Sequence, residues 1–227
     1  GGGGAGGGWA GGGRRRAEGG AAGWGLGAWG GVVLEGYRPG GMEKRGLGAQ
    51  RCRAATPRLS YGRVSGDGQD GPLANSPGHD INYIALSGVL AMIGPDPDGA
   101  PVIPLSLAGD FGGAGMALTV GVLCALYERE RSGQGQVVDC SMVESASYIA
   151  TLFYGMLHTG HHLPRRGSNM VDGGVHFYNV YPTSDGQWVA VAAVLPKFYA
   201  NFLKALGLDK QSLPGQLDAA QWPAMKA

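Results

Sequence analysis

The sequence is poor in charge, in cysteine and in long apolar stretches, and each shortage excludes something. Charged residues make up 15% of the 227 and the formal net charge is +1, so no field of one sign draws the chain to nucleic acid or to an anionic membrane. The three cysteines, Cys52, Cys124 and Cys140, are far apart and form no CxxC pair. That argues against a disulfide framework or a cysteine zinc site and fits a reducing compartment. No run of strongly apolar residues reaches the ~18–20 of a bilayer span, and the longest, "MALTVGVLCALY" at 116–127, has the length of a buried helix. Neither a nucleic-acid nor a membrane partner is expected, and no apolar stretch of signal-peptide type opens the chain.

Glycine, by contrast, is in excess and unevenly spread: 17 of the 45 fall within residues 1–31. That segment has neither strand nor helix periodicity and too few branched apolar side chains to offset the entropy of ordering glycine. It reads as disordered or as foreign to the fold. Arg14–Arg16 leave an RGG-like tail open, and a plain spacer is the alternative.

From Val32 onward the pattern is that of a globular α/β protein. "VVLEGYRPG" (32–40) reads as a short strand running into a loop, and 43–59 as a short polar helix and a turn. "LSYGRVSG" (59–66) is a second strand, followed by a glycine- and proline-rich loop to 78. Apolar positions from Ile81 to Ile93 predict a helix over 80–93, and a second is expected over 112–131, stopped by "SGQG". "QVVDCS" (136–141) is a third strand and 142–158 a third helix. "HFYNVYPTSDGQWVAVAAV" (176–194) predicts a hairpin around Ser184–Gly186. Residues 197–207 predict an amphipathic helix with Gly207 beyond its end, and "DAAQWPAMKA" starts another.

Two ionisable residues stand at the start of otherwise apolar helices: His79 in "GHDINYIALSG" and Asp110 in "LAGDFGGAGMALTV". Each has a plain structural reading, as a helix-start histidine with its bonds satisfied and as an N-cap aspartate. Together they also fit the removal and return of a proton on a carbon beside a carbonyl. That chemistry needs a base on each face and donors for the enolate oxygen, such as the free amide of Asp80. Thirty-one positions along the chain separate the two, so spacing alone does not bring them together. Other patterns carry less. "DFG" at 110–112 lacks the other kinase motifs. "HTGHH" (158–162) lacks an acidic or cysteine partner and reads as a solvated helix end. Cys140 reads as a small buried residue, and "GDGQDG" lacks an EF-hand's closing glutamate.

The blocks "LEGYRPG", "PRLSYGRVSGDGQDGP", "GHDINYIALSG", "PLSLAGDFGGAGM", "ERERSGQGQVVDCSMVES", "RRGSNMVDGGVHFY" and "LPKFY" resemble, in order and spacing, the racemase branch of the class III CoA-transferase (CaiB/BaiF) family. The resemblance spans about residues 32–227. It implies a Rossmann-like large domain, here 32–174 and without its first β-α-β segment, and a smaller α+β domain beginning at 175, within an interlocked homodimer. It implies acyl-CoA thioesters as substrates, no metal or redox cofactor, and epimerisation of a 2-methyl centre through an enolate, with His79 and Asp110 as the two bases. Carrier contacts are implied at Gly36, Tyr37, Arg38 and Lys44, and along Gly78, Asp80, Ile81, Asn82 and Tyr83; cationic groups suit a phosphorylated carrier. Transferases of the family use the aspartate at the Asp110 position as a nucleophile and generally lack the histidine. His79 therefore favours the racemase branch over the transferases, with an inactive, truncated paralogue as a further alternative. The branch usually carries glutamate where this chain has Leu195, which deprives an imidazolium at His79 of a stabilising neighbour, and Asp67 replaces an aromatic residue. The expected compartment is the cytoplasm in a bacterium, or the peroxisome or mitochondrion in a eukaryote.

Overall fold

The computed structural model describes residues 25, 30–208 and 212–226. The segment 1–31, expected to be disordered or foreign to the fold, lies outside the described residues apart from Gly25, Gly30 and Gly31. The chain divides into two compact units. One takes in the residues up to Ser87 and Leu105–Ile149, the other Gly88–Pro104 and the chain from Ala150 onward. The division differs from the expected 174/175 boundary. Residues 88–104 and 150–174 group together because Gly167 packs on the Pro95 carbonyl, Arg165 pairs with Asp98 and Arg166 donates to the Ala91 carbonyl.

The first unit is built on a parallel sheet of three strands: β1 (Val32–Glu35), β2 (Ser60–Ser65) and β3 (Val137–Ser141), in the order β1-β2-β3. Parallel neighbours need a crossover, and the helix α1 (Ala49–Ala55) supplies the one between β1 and β2. Alternation along β2 assigns its two faces. Tyr61 packs with Ala49, Cys52 and Leu59 under α1, and its hydroxyl donates to the Leu47 carbonyl at 2.9 Å. Gly62 faces the other way. A Cβ there would lie 2.7 Å from Leu34 and 2.9 Å from Leu118, so this glycine lets a long helix settle on the sheet. Gly121 does the same from the helix side, 2.6 Å from Val138 by the same measure.

That helix departs from expectation. It begins at Leu107, with a π-helical stretch Leu107–Gly115 running into α3 (Met116–Ser132). Asp110 therefore lies inside the first turn and is not the N-cap, a place taken by Ser106. Leu107–Ser132 forms 26 continuous helical residues and contains an 18-residue window of mean hydropathy 1.5, enough by length and composition to cross a membrane. A search for strongly apolar runs misses this because glycines and Asp110 interrupt the branched residues. In the structure the helix lies along β2 and β3 through Leu118, Val122 and Gly121. Met116, Val120, Leu123 and Tyr127 on its other side stay exposed.

Two further helices are shorter than expected. α2 (Asp80–Leu86) stops before Gly88, whose φ of +83° ends it, and a 3-10 turn Leu90–Met92 follows. The helix expected over 142–158 is two, α4 (Met142–Ile149) and α5 (Thr151–His158). They part at Ala150 (φ −89°, ψ 3°), where the chain leaves the first unit for the second.

The second unit carries the expected hairpin, β4 (Tyr178–Pro182) against β5 (Trp188–Ala192), and α6 (Pro196–Ala205). Its core is Val175, Phe177, Ala193, Tyr199 and Leu203. His176 is buried among them. Its Nε2 lies 2.9 Å from the Tyr199 hydroxyl, while its buried Nδ1 has no hydrogen-bond partner among the described residues. The last described helix is α7 (Trp222–Lys226).

Candidate active site

The carboxyl ends of the three parallel strands open on a cleft of about 550 Å³, the position ligands take in open α/β sheets. Gly36–Pro39 follow β1, Val64–Gly66 close β2 and Met142 follows β3; the loop before α2, α2 itself and the π-helical turn complete the walls. Gly36, Tyr37, Arg38, Gly78, His79, Asn82, Tyr83 and Asp110 all line it. The structure thus brings both candidate bases into one cavity within one compact unit.

The tie between them is Asp80. His79 holds extended backbone (φ −132°, ψ 175°) at the cap of α2, its amide donating to Asn82 Oδ1 at 3.1 Å, and its side chain is exposed. Asp80 is buried, only 3% exposed. Its Oδ1 accepts the amides of Gly109 and Asp110, each at 2.7 Å. These are short, charge-assisted bonds, and they pin the start of α2 to the turn that carries Asp110. Gly109 is required for this approach: a Cβ there would lie 2.6 Å from Asp80 Oδ1. Oδ2 of Asp80 is buried without a hydrogen-bond partner among the described residues.

Asp110 is half-buried. Burial first, and then the Asp80 carboxylate, raise its carboxyl above the ordinary value, against a hydrogen bond from Ser106 and the charge of His79. Such a group keeps its proton more readily than a solvated aspartate. The backbone around it is unusual. Leu105 and Ser106 have φ of +53° and +58° although neither is glycine, a conformation that costs free energy and recurs at functional sites. The following i→i+5 turn, with the Phe111 amide on the Ser106 carbonyl at 3.3 Å, is of a type found mostly at such sites.

The opposite wall comes from the loop after β1. Glu35 Oε2 accepts the Tyr37 amide at 2.9 Å, and the Arg45 guanidinium lies 4.6 Å over the Tyr37 ring and donates to the Gly41 carbonyl. Tyr83 sits close against Gly66, where a Cβ would lie 2.1 Å from its ring. Its phenol is raised by burial, then by Asp67, lowered by Arg38 and raised by Asp110, so all three charges act on the same wall. Three expected contacts do not line the cleft: Lys44 is exposed in the 3-10 turn Glu43–Arg45, Ile81 is half-buried in α2, and Asp80 is turned to Gly109. Ser65, Ala74, Ser76, Pro77 and Met142 line it without having been marked in the sequence. Their residue types carry no signal, and only the convergence of the strand ends selects them.

Elsewhere, His162 of "HTGHH" is buried, 5% exposed and 5.6 Å from the Phe153 ring, and so is not part of a solvated helix end. Among the described residues no group of three or more His, Cys, Asp or Glu is arranged to hold a metal ion. Leu195 caps α6 in the second unit.

Comparison with known proteins agrees with this layout. Residues 15–224 match CoA-transferase family III. The chain is 48% identical over 195 residues to alpha-methylacyl-CoA racemase of Mus musculus, covering 86% of this chain and 51% of that protein. It is 36% identical over 181 residues to succinyl-CoA–D-citramalate CoA-transferase of Chloroflexus aurantiacus, covering 78% and 43%. The crystal structure of a CAIB/BAIF family protein from Brucella suis shares its fold at a TM-score of 0.75 and 25% identity, over 94% of this chain and 57% of that one. The chain spans about half the length of the curated relatives it matches. With a parallel sheet, a cleft at its carboxyl edge and sequence blocks that match from end to end, the chain belongs to CoA-transferase family III.

Proposed function

We propose that the cleft epimerises 2-methyl-branched acyl-CoA thioesters, with His79 and Asp110 as the acid–base pair. The observation that carries the reading is an imidazole and a carboxyl on one cleft, their segments tied through the Asp80 carboxylate, which also raises that carboxyl. For one epimer the neutral imidazole of His79 takes the proton from the carbon beside the thioester carbonyl. The electron pair moves onto the carbonyl oxygen, giving an enolate beside the partly positive start of α2. Protonated Asp110 then delivers its proton to the opposite face of the carbon. For the other epimer the roles reverse: ionised Asp110 removes the proton and the imidazolium returns one. Arg38, beside Tyr37, offers a cation to the phosphates of the carrier. No resident cofactor is part of this scheme, and a second copy of the chain is the partner that the family resemblance implies.

The test is exchange of the α-proton of a 2-methylacyl-CoA in D2O, followed by NMR and mass. Exchange is expected with the native chain and is lost in His79→Ala and Asp110→Ala. Exchange that survives both substitutions overturns the assignment. The second reading is CoA transfer, in which Asp110 attacks the thioester, expels CoA thiolate and forms an acyl anhydride. It is favoured by the relatives of the transferase type. Borohydride or hydroxylamine trapping at Asp110 during turnover, with CoA appearing on a free acid, would select it. A chain that neither exchanges nor transfers is the inactive paralogue.

A further inference from the structure

Arg63 does not line the cleft, yet three segments that shape the cleft meet on its guanidinium. It sits near the carboxyl end of β2, opposite Glu35 of β1 and Asp139 of β3 in the register of the sheet. Its Nη2 bonds Glu43 Oε1 at 2.8 Å and its Nη1 bonds Gln69 Oε1 at 3.0 Å, while its Nε makes an ion pair with Glu35 Oε1 at 3.4 Å without a hydrogen bond among the described residues. The Arg63 and Glu35 side chains are only 12% and 4% exposed. A guanidinium presents its donors as a flat fork in fixed directions, so these contacts constrain each other. Glu35 in turn holds the Tyr37 amide, which leads the cleft wall Gly36–Pro39. Glu43 belongs to the 3-10 turn whose Arg45 covers the Tyr37 ring. Gln69 belongs to the loop that brings Ala74, Ser76, Pro77 and Gly78 to the same cleft.

We propose that Arg63 is a positioning residue for the carrier-binding wall: by joining Glu35, Glu43 and Gln69 it fixes Tyr37 and Arg38 in the place where the phosphates of a CoA thioester bind. The ligand half of this proposal rests on the acyl-CoA reading of the cleft. The positioning half rests on the geometry alone. Arg63 acts through other residues, so its loss touches binding of the carrier and leaves the chemistry at His79 and Asp110 in place. A lysine cannot substitute, because a single ammonium does not reach three partners in the plane of a fork.

The test compares the native chain with Arg63→Lys, Arg63→Met and the double variant Arg63→Met/Glu35→Gln. The double variant guards against misfolding: Met alone leaves the Glu35 carboxylate buried without a counter-charge, whereas Gln is neutral and still accepts the Tyr37 amide. Two measurements are made on each folded variant, hydrogen exchange at residues 36–41 and the dissociation constant of CoA by calorimetry. Exchange at 36–41 is expected to quicken and CoA binding to weaken by about tenfold or more in all three, the effect of losing one or two hydrogen bonds. The kcat of α-proton exchange at saturating thioester is expected to stay within about threefold, a split that a merely destabilised fold does not produce. Unchanged exchange at 36–41, CoA affinity equal to native, or kcat falling in step with affinity would each overturn the proposal. A native chain that binds no CoA would remove the acyl-CoA reading, and hydrogen exchange would then still decide whether Arg63 fixes the wall.

Discussion

Replacing Asp80 tests most directly whether the two candidate bases work as a unit, because one of its oxygens accepts two amides of the turn that carries Asp110. Oδ1 accepts the Gly109 and Asp110 amides at 2.7 Å each, in a position 3% exposed to solvent. A bond to an ionised acceptor contributes about 1.5–3 kcal/mol and a neutral one about 0.5–1.5. Asp80→Asn keeps a carbonyl oxygen for both amides and loses the charge, so it costs about 2–3 kcal/mol. For a chain of this size that lowers Tm by about 4–12 °C. Asp80→Ala leaves both amides without their acceptor and costs about 3–6 kcal/mol.

The kinetic consequence differs from the thermal one. A displacement of about 1 Å at a reacting group costs on the order of a hundredfold in rate. In folded Asp80→Ala, kcat for α-proton exchange is therefore expected to fall about a hundredfold while KM for the thioester moves by less than about threefold. Asp80→Asn carries a second signature. The Asp80 charge is one of the two influences that raise the Asp110 carboxyl. Removing that charge lets Asp110 ionise at lower pH, and both pH limbs that depend on Asp110 shift downward together. The assay is exchange in D2O from pH 4 to 9, for each epimer, beside calorimetric melting. An Asp80→Ala variant with native kcat, or an Asp80→Asn profile superimposable on the native one, would refute the reasoning.

Three further outcomes follow from the same geometry. Gly109→Ala places a Cβ 2.6 Å from Asp80 Oδ1; it is expected to break the tie and lose exchange by about a hundredfold, with native exchange as the contrary result. The two epimers are expected to show opposite dependence on Asp110. Its raised pKa marks the point above which the direction needing protonated Asp110 loses rate, and below which the direction needing ionised Asp110 does, as initial rates on each pure epimer will show. His176 is held below its ordinary pKa of 6.5 by burial. The unfolded chain therefore binds its proton first, so the stability is full above about pH 6.5 and is lost as pH falls through the depressed folded value. In His176→Phe the urea-unfolding free energy is expected to lose about 1.4 kcal/mol per pH unit of its acid-side slope; an unchanged slope would place the proton uptake elsewhere.

Much of this arrangement was legible from the residues, and what was not has identifiable causes. The strands at 32–35, 60–65 and 137–141 and the hairpin at 178–192 follow β-rich runs between turn residues, because a pleated strand and its punctuation are local properties. His79 and Asp110 stand out in the sequence as lone ionisable groups at the start of apolar helices. Their convergence does not, since it depends on a bond between side chain 80 and backbone 109–110. The family resemblance implies Asp80 as a carrier contact only as part of the segment 78–83. Successive residues at a helix start point in different directions, and only the packing of the π-helical turn decides that Asp80 turns inward. The π-helical start escaped for a related reason. "LSLAGDF" does hold a residue of the usual cap type, Ser106, but its left-handed backbone, shared with Leu105, runs against local preference and is not announced by the residues.

The same distinction bears on which chemistry the cleft performs. A nucleophilic aspartate is helped by a low pKa and an open approach, whereas a proton donor is helped by a raised one. Asp110 is raised, and its second-largest cause is a carboxylate whose buried oxygen is spent on the Asp110 amide itself. Asp80 thus contributes both to the position and to the proton affinity of Asp110, and Asp80→Asn alters the second while keeping an acceptor for the first. A transferase would gain nothing from a second, buried carboxylate that raises the proton affinity of its nucleophile. A two-base epimerase needs that bias, because in one direction the carboxyl must hold a proton while the imidazole beside it is free to accept one. Asp80→Asn therefore separates the two reactions: it shifts proton exchange as argued above, and it would speed formation of an acyl anhydride by leaving more of Asp110 ionised at a given pH.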